Sequence, residues 1–236
     1  MATTDDLLEI HQRLVEVFGE HTWTLELDPL GELIGTLLSQ HTNGLNSRRA
    51  FAHLRERYPT WDAVRDASVS EIAEVIRCAG LANQKAPRIK GVLQQIDDQR
   101  GTLALDFLAA MSIKGAMEWL RRLPGVGQTT AACVLLFGLG RPVMPVDSGI
   151  LRIARRLGLV PPWGTPDDVQ QALQASVPPT WIYTLHLNLT RFGRELCVAS
   201  RPRCEVCPVN DRCAYFQVTH RAPLIAARGA ESGWTR

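Results

Sequence analysis

Apolar residues recur along the chain every three or four positions, the spacing that puts them on one face of an α-helix. Leu7, Leu8, Leu14, Val15 and Phe18 mark one such face, and Leu30, Leu33, Ile34, Leu37 and Leu38 a second. Ala50, Phe51 and Leu54 follow, then Ile72, Val75 and Ile76, then Ile89, Val92, Leu93 and Ile96. Tyr58-Pro59, Gly80, Gly101 and Pro124-Gly125 punctuate these runs, since Gly and Pro end helices. Ser70, ahead of Ile72 and Glu74, reads as a helix N-cap region. No run alternates with the period of two that a half-buried strand requires, and Asn43-Gly44 sits between helical segments. The pattern predicts an all-α protein of about nine or ten helices, without a solenoid repeat or a low-complexity linker. The stretch over 219–236, rich in Ala, Gly and Arg, predicts a loose tail.

Composition narrows the class. With 236 residues, 45% of them hydrophobic, the chain can bury a sizeable core. The acidic start MATTDDLLEIHQRL is unlike a signal peptide. The longest apolar stretch, 131–139, is too short to cross a bilayer. A cytoplasmic protein is therefore expected, and in a reducing compartment the six cysteines do not read as disulfides. The net charge of +2 excludes a strongly basic coating protein. It also hides an asymmetry. Residues 1–118 carry 12 basic and 17 acidic side chains, and residues 119–236 carry 14 and 7. A basic C-terminal half hints at nucleic-acid contact, although a solvated basic face is the commoner cause.

Three clusters carry candidate chemistry. Cys197, Cys204, Cys207 and Cys213 are separated by six, two and five residues. Four thiolates so close hold a metal centre, either zinc or an iron–sulfur cluster. Structural zinc usually takes paired C-x2-C knuckles, whereas the wider gaps suit a cluster. Arg201 and Arg203 lie in the same loop and Arg212 beside its last ligand, so the loop presents guanidinium groups suited to phosphate. Cys78 and Cys133 lie in apolar helical contexts and read as small buried hydrophobes.

The second cluster, LPGVGQTTA (123–131), is a glycine turn between two helical segments. Such a turn allows positive φ and close backbone approach, and its amides make an anion site. The third is Asp147, between the loop GLGRPVMPV and an apolar-periodic run. Its ordinary reading is a helix N-cap. Standing 18 residues after Thr129, it is also a candidate catalytic carboxylate.

Together with LLSQHTNG (37–44), GLANQKA (80–86) and PVDSGILR (145–152), these motifs resemble the endonuclease III branch of the helix–hairpin–helix DNA glycosylases over about residues 28–216. The resemblance implies two helical domains with a DNA-binding groove between them. One is a six-helix barrel with the helix–hairpin–helix motif, over 30–140. The other, over 1–29 and 141–218, holds a [4Fe–4S] cluster on Cys197, Cys204, Cys207 and Cys213. It implies Asp147 as the catalytic aspartate, and Gln40, His41, Leu81, Gly125, Val126, Gly127, Thr129, Thr130, Arg201 and Arg203 as DNA contacts. His41 falls where the family places a glutamine that fills the space left by a flipped base. Leu81 falls at a wedge into the opposite strand, though it could equally be a core leucine.

The departures bear on activity. Thr129 stands where the bifunctional enzymes have the Schiff-base lysine, and a hydroxyl cannot form that imine. The only lysines are Lys85, Lys90 and Lys114. Gly44, Ala82 and Gly149 also depart from the pattern. The expectation is a monomeric, cytoplasmic, nucleoid-associated base-excision-repair glycosylase of bacterial or archaeal type. It acts on double-stranded DNA, removing an oxidised pyrimidine, or uracil or thymine in a mismatch, without AP lyase activity. The alternatives are a non-catalytic lesion- or structure-specific DNA-binding protein, and a glycosylase with weak lyase activity through Lys114 or the N-terminus.

Overall fold

The structure, a computed structural model, describes residues 4–221. Most of the tail expected over 219–236 lies outside the described residues; 217–221 form a short π-helical turn. Among the described residues there are twelve α-helices and no strand, and no helix is long and apolar enough to cross a membrane. The excess over nine or ten comes from short segments such as 61–66 and 214–216, which span too few turns to show a period. The chain divides into two compact units, Trp23–Pro145 and the remainder, Met1–Thr22 with Val146–Arg236. The bounds drawn from sequence, 30 and 140, lie inside the first unit. Trp23 extends it, because its indole N–H donates to Phe137 O at 3.1 Å and its ring packs on Gly140.

The first helix, α1 (Thr4–Phe18), belongs to the second unit. It buries Leu7, Ile10, Leu14 and Phe18, but also His11, while Leu8 and Val15 are only half-buried. The buried face is thus rotated from the one expected, because the His11 ring stacks on Trp181 at 4.5 Å. Burial pushes the His11 pKa down.

In the Trp23–Pro145 unit, α2 (Pro29–Ser39) starts at Asp28, whose Oδ1 accepts from the Leu30 and Gly31 amides at 3.0 and 2.8 Å. Asn43 caps α3 (Gly44–Arg57) and Thr60 caps α4 (Trp61–Asp66). Helix α5 (Val69–Val75) is capped by Ser68, not Ser70. Ser68 and Glu71 satisfy each other's backbone amides as a capping box, which Ser70 has no partner to make. Helix α6 (Ala82–Arg100) ends at Gly101 with φ +67°, followed by α7 (Ile113–Arg121) and α8 (Gln128–Cys133).

Helix α8 continues into a π-helical turn, Val134–Gly138, packed against α2. A Cβ on Gly138 would lie 2.7 Å from Pro29 Cα, so the two backbones meet directly. Leu30, Leu33, Ile34, Leu37 and Leu38 are at most 2% exposed and form the centre of the core.

The second unit adds α9 (Ser148–Leu157), α10 (Pro166–Ser176), α11 (Ile182–Glu195) and α12 (Ala214–Phe216), with α11 packed between α1 and α9. Arg13 of α1 donates to Pro208 O and Asp211, and Arg212 pairs with Asp6 at 2.9 Å and Glu9 at 2.5 Å.

Two predictions follow from this packing. Gly138→Ala forces backbone against backbone and lowers stability by about 1–3 kcal/mol, measured by denaturant unfolding. Burial raises the Glu32 carboxyl to about 7 from its ordinary 4.5, with Thr36 donating to it at 3.0 Å and Glu26 close by. A carboxyl raised in the folded state contributes stability below about pH 4.5 that is lost as pH climbs through about 7. Glu32→Gln therefore flattens the stability profile across that window and stabilises at pH 8 by roughly 1–2 kcal/mol. An unchanged profile would refute it.

Candidate functional site

The glycine turn is built as its residues dictate. Gly125 has φ +77°, and Gly127 precedes the first turn of α8. Val126 is buried. Thr130 is also buried, and its hydroxyl accepts from Gln40 Nε2 at 3.3 Å. The same Nε2 donates to Gly125 O at 3.1 Å. Gln40 and Thr130 therefore stitch the end of α2 to the glycine turn. Thr129, half-buried in the first turn of α8, holds the position of the absent lysine. Sequence reading missed Arg88. It is exposed on α6, and its Cδ lies 2.9 Å from where a Gly125 Cβ would be. Only the fold brings residues 88 and 125 together.

His41 and Leu81 are both exposed, and both adopt left-handed backbone, φ +53° and +50°. Bulky residues occupy that region at a cost, which marks constrained corners. Leu81 is 47% exposed and so is not a core residue. With Gln40, Gln84, Lys85 and Arg88 the two line one pocket of about 230 Å³. Two of the three lysines are otherwise engaged. Lys85 Nζ donates to Leu38 O at 2.7 Å and Ala79 O at 2.9 Å, and Lys90 Nζ donates to Arg65 O and Ala67 O, both at 2.7 Å. Lys114 is exposed at the start of α7, roughly 10 Å along the helix axis from the end nearest the glycine turn.

Asp147 follows the buried Met144-Pro145-Val146 and caps α9, its Oδ1 accepting from the Ile150 amide at 2.8 Å. The ordinary role and the candidate one coexist. The cap fixes the carboxylate, and Oδ2 has no hydrogen-bond partner among the described residues. A Cβ at Gly149 would stand 3.1 Å from Oδ1, so glycine leaves the carboxylate uncrowded.

The four cysteines line one pocket whose walls include Leu157, Phe192 and Val209. Cys204 and Cys213 are buried, and Cys197 and Cys207 half-buried. Burial pushes the Cys207 thiol up to about 11 and raises Cys204 and Cys213 as well. Arg156 braces the loop, donating to Cys197 Sγ at 3.4 Å and to Val198 O at 2.7 Å, while Cys213 Sγ donates to Arg156 O. Four soft donors around an apolar pocket, with a guanidinium against one sulfur, fit an iron–sulfur centre. Among the described residues no three His, Cys, Asp or Glu converge as ligands of a single ion do.

The arginines divide. Arg152 is spent on Gly193 O and Cys197 O, and Arg212, expected to offer its charge to phosphate, is paired with the acids of α1. Arg201 (φ +55°) and Arg203 are exposed and pair with no carboxylate among the described residues. Cys78 and Cys133, expected to be buried, are half-buried. Cys78 Sγ lies 3.8 Å from Asn46 O.

Residues 34–179 match the family model of the HhH-GPD superfamily of base excision DNA repair proteins. The chain belongs to this superfamily. Residues 197–213, the segment that holds the four cysteines, match the iron–sulfur binding domain of endonuclease III. The chain is 32% identical to an endonuclease III of Thermotoga maritima, over 81% of this chain and 85% of that protein. It is 35% identical to a candidate DNA glycosylase of Arabidopsis thaliana, over 80% of this chain and 66% of that one. Other relatives are far longer, and the chain spans as little as 10% of their length. In fold, this HhH-GPD protein superposes with a TM-score of 0.81 on an endonuclease III solved in a non-covalent complex with DNA, at 24% identity and covering 94% of this chain and all of that one. It is thus an all-α member of the endonuclease III-like glycosylases.

Cys204→Ser is expected to lower iron content and open 197–213 to proteolysis, because ligation and folding of such loops are coupled. Undiminished iron would remove Cys204 from the ligand set.

Proposed function

We propose that this protein is a monofunctional DNA glycosylase that removes an oxidised pyrimidine, or uracil or thymine in a mismatch, from double-stranded DNA. The observation that carries the reading is Thr129 at the lysine position, with Lys85 and Lys90 bound to backbone carbonyls and Lys114 toward the far end of α7. No amine among these is placed to form an imine with the opened sugar.

Asp147 supplies the chemistry. Its carboxylate, held through Oδ1, stabilises the positive charge that develops on the sugar as the N-glycosidic bond breaks. The base departs with the bonding electrons. Oδ2 orients a water toward C1′ and takes its proton, leaving an intact abasic site. The exposed turn at Gly125 and Gly127 and the arginines Arg201, Arg203 and Arg88 contact phosphates. Val126 contributes through its backbone, and Gln40 and Thr130 hold the turn from beneath. His41 and Leu81 fill the space of the flipped nucleotide and its partner. The four cysteines would hold a [4Fe–4S] cluster. It would cross-link the loop that carries Arg201 and Arg203, and would take no part in bond breaking.

A panel of duplexes carrying oxidised pyrimidines, uracil or mismatched thymine tests this. Strand breaks should follow only after alkali, with no borohydride-trapped adduct. Asp147→Asn should slow release by roughly 10²–10⁴-fold. Asparagine also caps helices, so this change separates chemistry from capping. A trapped adduct would overturn the monofunctional assignment. Tight binding without release from any duplex would favour the non-catalytic reading. Iron should be about four per chain, and stoichiometric zinc would reject the cluster.

A further inference from the structure

Lys85 is the one buried cation of the Trp23–Pro145 unit, 3% exposed, and among the described residues no carboxylate pairs with it. Burying an ammonium is expensive unless its protons find acceptors. Here the acceptors are two carbonyls from different elements, Leu38 O in the last turn of α2 and Ala79 O in the 3₁₀ turn Arg77–Ala79. Both belong to the class of orphan carbonyls that a helical end leaves exposed, and a cation suits such an end. Each of these ends leads within three residues into a left-handed corner, His41 on one side and Leu81 on the other. The Lys85 amide is itself bonded to Leu81 O at 2.9 Å, so the side chain springs from the turn that carries Leu81.

We propose that Lys85 is a positioning residue that clamps the His41 and Leu81 corners at a fixed separation, so that the two side chains enter DNA as a unit. Both corners adopt backbone that a bulky residue avoids unless its surroundings impose it. The ammonium is the shared constraint, reaching both from inside the unit. Its enclosure and its two hydrogen bonds also bar it from nucleophilic work. The consequence for DNA rests on the glycosylase reading above; the clamp itself does not.

The test uses the full-length protein and the variants Lys85→Met, Lys85→Arg, Leu81→Ala and the double Lys85→Met/Leu81→Ala. In the absence of DNA, Lys85→Met should raise amide exchange by about tenfold or more in both 40–42 and 79–84, with α9 and α11 unchanged. Lys85→Arg should retain most of the protection. On a cleavable duplex, Lys85→Met should slow single-turnover release by about 10²-fold. In the double variant the two losses should combine to less than their product, since Lys85 acts in part through the Leu81 corner. Exchange that rises in neither corner, or in only one, overturns the clamp. Independent losses that multiply in the double variant overturn the proposed coupling to DNA entry. Should Lys85→Met fail to fold, Lys85→Gln takes its place in the cycle, and a loss of protection confined to the two corners carries the same meaning. Absence of base release by the unaltered protein would reject the glycosylase reading and leave the exchange result standing.

Discussion

The burial of α2 is the constraint on which the rest of the Trp23–Pro145 unit depends. A helix buried on most of its circumference must satisfy every polar group at its ends inside the protein or at its edge. Asp28 does this at the N-terminus, accepting from two amides. At the C-terminus Lys85 takes Leu38 O, while Gln40 turns away to the glycine turn. The same helix meets the π-helical turn at Gly138, where there is no room for a side chain. The candidate DNA-contacting corners thus hang from a helix with little freedom to move.

A second theme is the use of arginine and lysine for carbonyls in place of carboxylates. Arg141 donates to Leu108 O and Met111 O, Arg155 to Gly164 O, and Arg156 to the loop of the cysteines. Much of the basic excess of the second half of the chain therefore sets loop geometry.

Each unit contributes residues to the proposed chemistry. Asp147 is held as a cap with one oxygen uncommitted among the described residues, and Gly149 leaves room beside it. A threonine hydroxyl at position 129 cannot form the imine of a lysine-based route, whereas the proposed water-based route needs only a carboxylate. Base removal without strand cleavage is the chemistry proposed for these residues.

Local signals were legible in the sequence because their physics is local. The helical period, the stop signals at Gly80 and Gly101, the glycine turn, the cysteine spacing and Asp147 as a cap each depend on residues within a few positions. Ser68 was misread as Ser70 because two serines compete and only the reciprocal bond to Glu71 decides. The bounds of the first unit shifted because Trp23 reaches Phe137 across 114 residues. Whether an arginine is spent or available was invisible for the same reason: Arg212 is claimed by Asp6, 206 positions away. So was the role of Lys85, whose side chain, in sequence, could as well have been a solvated cation. By itself the sequence determined the helices, the turns and the chemical types of the site. The tertiary structure decided which polar groups meet, since burial and hydrogen-bond satisfaction are properties of packing between segments distant along the chain.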